Sequence, residues 1–320
     1  MPQTILPWKP DSFPLMLAPM QGVTNRIVRK LYVEWVRPDA VFTEFVRIKR
    51  EARKRISAAD LLEIEPVGDV PLIVQLIGYG AVELTEAARQ MVDAGVKHIN
   101  LNLGCPFGRT TSGLTGGNVL RNTENLPTIL AGLRAVVPGS LSVKIRSGYA
   151  DPRQIFELLP LFEAVGLDFL ILHPRTVVQK YTGGADHTLT REVVQATSLP
   201  VIANGDINRT AFGNKLRIDA NPVGLMLGRG GIADPVLFQR LRGQASATPD
   251  SAERRQILGQ TLTGLLPGYS EIFCGDHQIL SKLKAVLSAM VVPELEAEIV
   301  RLKRIQKLDV FAAAIQRLMA

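Results

Sequence analysis

The feature that most constrains this chain is a recurrence. Short aliphatic or β-branched runs appear eight times before residue 231: LMLAP (15–19), AVFTEF (40–45), LIVQLIG (72–78), HINLNLG (98–104), LSVKIRSG (141–148), FLILHPRT (169–176), PVIANGD (200–206) and PVGLMLGRG (222–230). Several are almost continuously apolar, as expected of strands buried on both faces. The stretches between them, such as LTEAARQMVDAG and NLPTILAGLRAVV, repeat their apolar residues at helical spacing. Eight strands alternating with helices predict a (β/α)8 TIM barrel.

Beyond Gly243 the pattern changes. QASATPDSAE reads as a polar linker, and the rest has helical spacing over Ala252 to Leu266, His277 to Val291 and Pro293 to Ala320, with a possible break near Lys307. The chain therefore divides into a catalytic barrel, residues 1–243, and a small all-helical C-terminal domain, residues 244–320. At 320 residues, 46% hydrophobic and 21% charged, it has the composition of a globular protein with a full core. No signal-peptide core and no membrane-length apolar span are present, so a cytoplasmic protein away from membranes is expected. Two cysteines, Cys105 and Cys274, are too few for a disulfide framework and have no zinc-ligand spacing, so no metal is expected. The net charge of +7 is concentrated: Arg26 to Arg55 holds ten Lys/Arg against four acids. Such a patch suits a polyanion, although a solvated helix face would look the same.

In this fold chemistry sits where the strands end, and those positions are polar here. They include Gln75, Asn102, Cys105, Lys144, Arg146, His173, Arg175, Asn204, Asp206, Gly228 and Arg229. ANGD (203–206) and GRGG (228–231) put pliable backbone amides and one arginine on the last two strands, where barrels commonly hold a phosphate. Lys144 lies in an otherwise apolar strand, so its ammonium must face either a carboxylate or a bound anion. Together with Gln75 and His173 these residues suggest a phosphorylated ring cofactor across the barrel mouth. Cys105 stands between a glycine and a proline at the exit of strand four, before a loop rich in Gly, Thr and Ser. A thiol with a pKa of about 8.5 is mostly protonated at neutral pH and can serve as an acid. Cys274 has no motif around it and is expected to be a structural thiol.

The motifs LAPMQGVT (17–24), TEFVR (43–47), VQLIG (74–78), NLGCP (102–106), SVKIRSG (142–148), HPRTVVQKYTGGAD (173–186), VIANGDI (201–207) and MLGRG (226–230), in this order, resemble the tRNA-dihydrouridine synthases. The resemblance implies FMN held by Pro19, Met20, Gln75, Lys144, His173, Asn204, Asp206, Gly228 and Arg229. It implies Cys105 as proton donor, NADPH as reductant and reduction of the C5=C6 bond of a tRNA uridine to dihydrouridine. Asn102 would orient substrate or flavin. Arg109, Arg175 and Tyr181 would contact the flipped nucleotide, and Arg47, Lys49, Arg50, Lys282 and Lys284 the RNA backbone. TEFVR and the compact tail look like the bacterial subgroup acting on uridine 16 of the D-loop, and a monomer is the simpler expectation. Gln21 and Pro174 depart from the usual residues of the family. Two other readings fit parts of the pattern: a dihydroorotate-dehydrogenase-like FMN enzyme on a free pyrimidine, and an RNA-binding barrel without catalysis.

Overall fold

A computed structural model describes residues 6–48, 56–106 and 114–320. Nine strands pair in parallel: β1 (Leu15–Leu17), β2 (Ala40–Phe42), β3 (Val46–Arg47), β4 (Leu72–Ile77), β5 (His98–Leu103), β6 (Ser140–Arg146), β7 (Phe169–His173), β8 (Val201–Asn204) and β9 (Gly224–Leu227). Their order is β2-β1-β9-β8-β7-β6-β5-β4, and pairing of β2 with β4 closes the barrel. The eight-strand expectation is met with one refinement. The second run is split, because the chain bends at Thr43–Phe45 and rejoins the side of β4 as β3. Thr43 fixes the bend: its Oγ1 accepts the Gln75 N–H at 3.0 Å while its own N–H reaches the Ile73 carbonyl.

The barrel interior has two characters. Met16, Ala40, Phe42, Ile73, Phe169, Ile171, Ile202 and Met226 form an apolar plug, against which Trp8 from the N-terminal segment packs edge-on at Phe169, the first residue of β7. The other part is polar, from Gln75 on β4, Asn100 and Asn102 on β5 and Ser142 on β6. Alternation along a strand puts residues two apart on one face, so Ser142, Lys144 and Arg146 share a side. The register sets Asn102 opposite Lys144 and Arg146 opposite His173.

The C-terminal region is helical, as expected: Ser251–Ile272, Asp276–Ala289, Glu296–Arg304 and Leu308–Met319, with the break at Ile305–Lys307. Asp250 caps the first of these by accepting the Glu253 N–H at 2.8 Å. These helices share one apolar core with the outer face of β1 and β9 and with the helix Arg26–Trp35. They therefore pack beside the first strand's loop. Among the described residues no helix is long and apolar enough to cross a membrane.

Candidate active site

The C-terminal ends of the strands enclose a cavity of about 240 Å³. Ala18, Pro19 and Met20 form one wall, Lys144 and His173 the floor side, and Asn204–Asn208 with Gly228–Gly230 the far wall. Tyr181 and Val291 stand at its rim. Of the expected cofactor residues, Pro19, Met20, Lys144, His173, Asn204, Asp206, Gly228 and Arg229 thus come together, while Gln75 lies deeper, fully buried. The two glycine turns touch: a Cβ on Gly230 would lie 2.0 Å from the Ile207 carbonyl oxygen, so only glycine lets them meet. Asn204 Nδ2 braces this wall by donating to the Met226 carbonyl at 2.9 Å.

The polar side of the site is one continuous relay. Asn102 Nδ2 donates to Gln75 Oε1 at 2.8 Å, Gln75 Nε2 donates to Asn100 Oδ1 at 2.7 Å, and Asn100 Nδ2 donates to Ser142 Oγ at 2.8 Å. The other end of Asn102 holds the cysteine loop, its Oδ1 accepting the N–H groups of Gly104 at 3.1 Å and Cys105 at 3.0 Å. Cys105 is half-buried just past the end of β5. Its carbonyl accepts the Gly117 N–H at 3.0 Å, and Cβ atoms on Gly116 or Gly117 would approach Cys105 to 3.1 Å or closer. The Gly-Gly pair therefore explains itself as the seat of the cysteine. Cys274, expected to be structural, is exposed between two helices and so is not a packed core thiol.

Electrostatically the mouth is basic. Lys144 has no carboxylate partner among the described residues, which leaves the second of its two sequence options, a bound anion. Burial, reinforced by neighbouring Arg146 and offset in part by Cys105, lowers its pKa to about 8. Arg146, a strand-end residue to which the sequence assigns no role, is buried. It donates to the carbonyls of Gly104 at 2.9 Å, Thr176 at 2.9 Å and Lys180 at 2.6 Å. Burial and the surrounding cations hold the His173 imidazole far below its ordinary value, so it is neutral. Because Arg175 Nη1 donates to His173 Nε2 at 3.1 Å, the ring proton belongs on Nδ1.

Arg175 is turned inward, 3% exposed, gripping Asp206 through both nitrogens at 3.0 and 2.7 Å and the Gly183 carbonyl. Asp206 also accepts the Ala185 N–H at 2.8 Å. Burial pushes the Asp206 carboxyl up, but Arg175 and the Ala185 N–H outweigh it and leave it below the usual range. Arg229 is the arginine left for an anion: it is about half exposed and reaches Asp206 only at 3.8 Å. Its guanidinium lies 4.7 Å from the centre of the Tyr181 ring, which Arg146 approaches to 5.3 Å. A half-buried cation lacking a counter-ion, a neutral imidazole and two adjoining glycine turns fit the phosphate and polar ring edge of FMN.

Of the expected RNA contacts, Arg47 is exposed on β3 with its guanidinium 5.8 Å from the Phe45 ring. Lys282 and Lys284 lie on the helix Asp276–Ala289, Lys282 5.2 Å from the Phe273 ring. Lys49, Arg50 and Arg109 lie outside the described residues.

A sequence profile of the family "Dihydrouridine synthase (Dus)" matches residues 16–304. A "Probable tRNA-dihydrouridine synthase" of Rhodobacter capsulatus is 31% identical over 223 residues, 69% of this chain and 68% of that one. The "tRNA-dihydrouridine(16) synthase" of Cupriavidus necator is 30% identical over 271 residues, 82% of this chain and 84% of that one. Among solved structures, morphinone reductase superposes with a TM-score of 0.53 at 17% identity, covering 75% of this chain and 88% of that one, and so shares the barrel fold.

Proposed function

The chain belongs to the dihydrouridine synthase family, and from that premise we propose that it reduces uridine in tRNA with FMN and NADPH, using Cys105 as proton donor. The observation that carries this reading is the pairing of Lys144 and His173 on one cavity at the barrel mouth, the lysine without a carboxylate partner among the described residues, with Cys105 just past the end of the neighbouring β5. When bound, FMN reduced by NADPH would supply the hydride that C6 of the uracil ring receives. Pro19 and Met20, Lys144, His173 and Asn204 would hold its ring and ribityl chain, and Gly228 and Arg229 its phosphate. The Met20 N–H is already given to Thr24 Oγ1 at 2.8 Å, and its carbonyl to the Val23 and Thr24 N–H groups, so at Met20 this wall would bind by shape.

The S–H proton of Cys105 goes to C5, which completes the addition of hydride and proton across C5=C6. The thiolate left behind lies in the field of Lys144 and Arg146, both of which interact electrostatically with Cys105, and it regains a proton from water. Asn102 keeps the cysteine loop in register, and Tyr181 at the rim supplies an aromatic face. Arg175 contributes by orienting His173 and Asp206. A stacked uridine must swing out to reach this depth, at a cost of about a few kcal/mol. Contacts from Arg47, Lys282 and Lys284 to RNA phosphates offset that cost, with the helical region, residues 244–320, orienting the tRNA. The C. necator relative's name supports uridine 16 as the position.

The test is to load purified protein with FMN, add NADPH and unmodified tRNA, and map dihydrouridine by position. Product at position 16 supports the reading. Product elsewhere overturns the position alone. Turnover of free dihydroorotate without tRNA would favour the dehydrogenase reading, and protein unable to bind FMN would favour the RNA-binding barrel.

A further inference from the structure

Glu44 of the TEFVR motif occupies the bend between β2 and β3, and neither the cavity nor the proposed chemistry uses it. Its Oε2 accepts the backbone N–H of Gly22 at 2.9 Å across the barrel rim. Gly22 belongs to the turn that follows β1, and its φ of +79° is one that other residues adopt only under strain, although a Cβ there would meet nothing within 4 Å. The turn is closed on itself by Val23 N–H and Thr24 N–H, which both donate to the Met20 carbonyl at 2.9 and 3.0 Å. Thr24 is fully buried. The other end of this turn is the Ala18–Pro19–Met20 wall of the cavity.

Holding a carboxylate here is costly. Glu44 Oε1 is buried and has no hydrogen-bond partner, and burial pushes the carboxyl up, against the Gly22 N–H that pulls it down. The charged groups facing it are Arg29 and Glu63 from the barrel side and Lys282 from the C-terminal helix, with the buried Tyr269 hydroxyl nearby. A residue kept in so unfavourable a setting for one backbone contact points to that contact as its purpose.

We propose that Glu44 is a positioning residue for the cofactor: by fixing the Gly22 N–H it sets the Met20–Thr24 turn, and through it the wall of the cavity formed by Ala18, Pro19 and Met20. This rests on the flavin reading above. The turn's own hydrogen bonds close Met20 onto Val23 and Thr24, whereas the Gly22 N–H leaves the turn for the β2–β3 bend and ties the turn to the rest of the barrel rim.

The experiment compares wild type, Glu44→Leu, Glu44→Gln and Gly22→Ala by three readouts. These are hydrogen exchange of the residue 19–24 amides without flavin, FMN affinity, and the visible spectrum of bound FMN. Glu44→Leu is expected to speed exchange of the Gly22 amide at least about tenfold, weaken FMN about tenfold or more and shift the spectrum. Glu44→Gln, whose amide oxygen still accepts the N–H, should stay within about threefold of wild type. Gly22→Ala should reproduce the leucine variant by straining the same turn from the other side. Unchanged exchange and affinity in Glu44→Leu, or a glutamine variant as impaired as the leucine one, would overturn the proposal. If wild type itself binds no FMN, the flavin reading fails, while the exchange data still decide whether Glu44 holds the turn.

Discussion

The two ends of the same three strands are built on opposite principles. Where β5, β6 and β7 begin, polar groups close on one another. His98 Nδ1 meets Ser140 Oγ at 2.8 Å, and Asp168 accepts Arg134 at 2.8 Å and the Leu141 N–H at 2.6 Å, while Arg134 also donates to the Gly139 carbonyl at 2.7 Å. Where those strands end, Lys144, Arg146 and His173 stand together, and among the described residues no carboxylate bonds any of them: Arg146 donates to loop carbonyls, His173 Nε2 accepts from Arg175, and Lys144 has no ion-pair partner. One end pairs its charges within the fold, and the other leaves the Lys144 ammonium without a counter-ion.

That contrast can be broken most sharply at Cys105. Cys105→Ala should lower the rate of tRNA reduction by about 10²–10⁴-fold, measured by dihydrouridine formation, while FMN affinity and melting temperature stay near wild type. At the opposite end, Asp168→Ala leaves Arg134 with carbonyls only and the Leu141 N–H unpaired. It should destabilise the protein by about 2–4 kcal/mol in urea melts with no change in FMN affinity.

Lys144→Met sharpens the comparison, because it should move the two quantities in opposite directions. FMN affinity should fall about tenfold or more, while the flavin-free protein gains about 1–2 kcal/mol from losing an unpaired, half-buried ammonium. The same lysine gives a pH signature. With its pKa lowered to about 8, it is charged below that value and neutral above, so FMN affinity in wild type should decline as pH rises through about 8 and be flat in Lys144→Met. The smallest effect belongs to His98, whose pKa burial lowers to about 4. It stays neutral in the fold while the unfolded chain takes up a proton near pH 6.5, so stability should be lost as pH falls from about 6.5 to 4. His98→Gln should flatten that acid limb by about 1 kcal/mol.

Most of this contrast is legible from residues alone, and the remainder is not for identifiable reasons. The barrel shows because each strand is a short apolar run between helical repeats, and the glycine turns at 204–206 and 228–231 show because they punctuate the last two. Lys144 is visible as a charge inside an apolar strand. Arg146 carries the same signal two residues on, and the period-two rule puts it on the same face, but its partners are backbone carbonyls of distant loops that no pattern reveals. The bend that splits the second strand depends on Thr43 meeting β4 and Glu44 meeting Gly22, contacts set by tertiary packing. Arg175 reads as a substrate ligand from its position, whereas the fold turns it inward to Asp206, a residue 31 places away in sequence. Val291 reaches the mouth from the helical region, and nothing in its neighbourhood announces that.

The account is tested most directly by a single-turnover measurement in which FMN-loaded protein is reduced, mixed with unmodified tRNA without oxygen, and followed by flavin absorbance. It predicts rapid reoxidation in wild type with one dihydrouridine formed per flavin, and reoxidation slowed at least about 10²-fold in Cys105→Ala despite full flavin loading. Equal rates in the two proteins would contradict it, since the proton would then come from somewhere other than the sulfur at the end of β5.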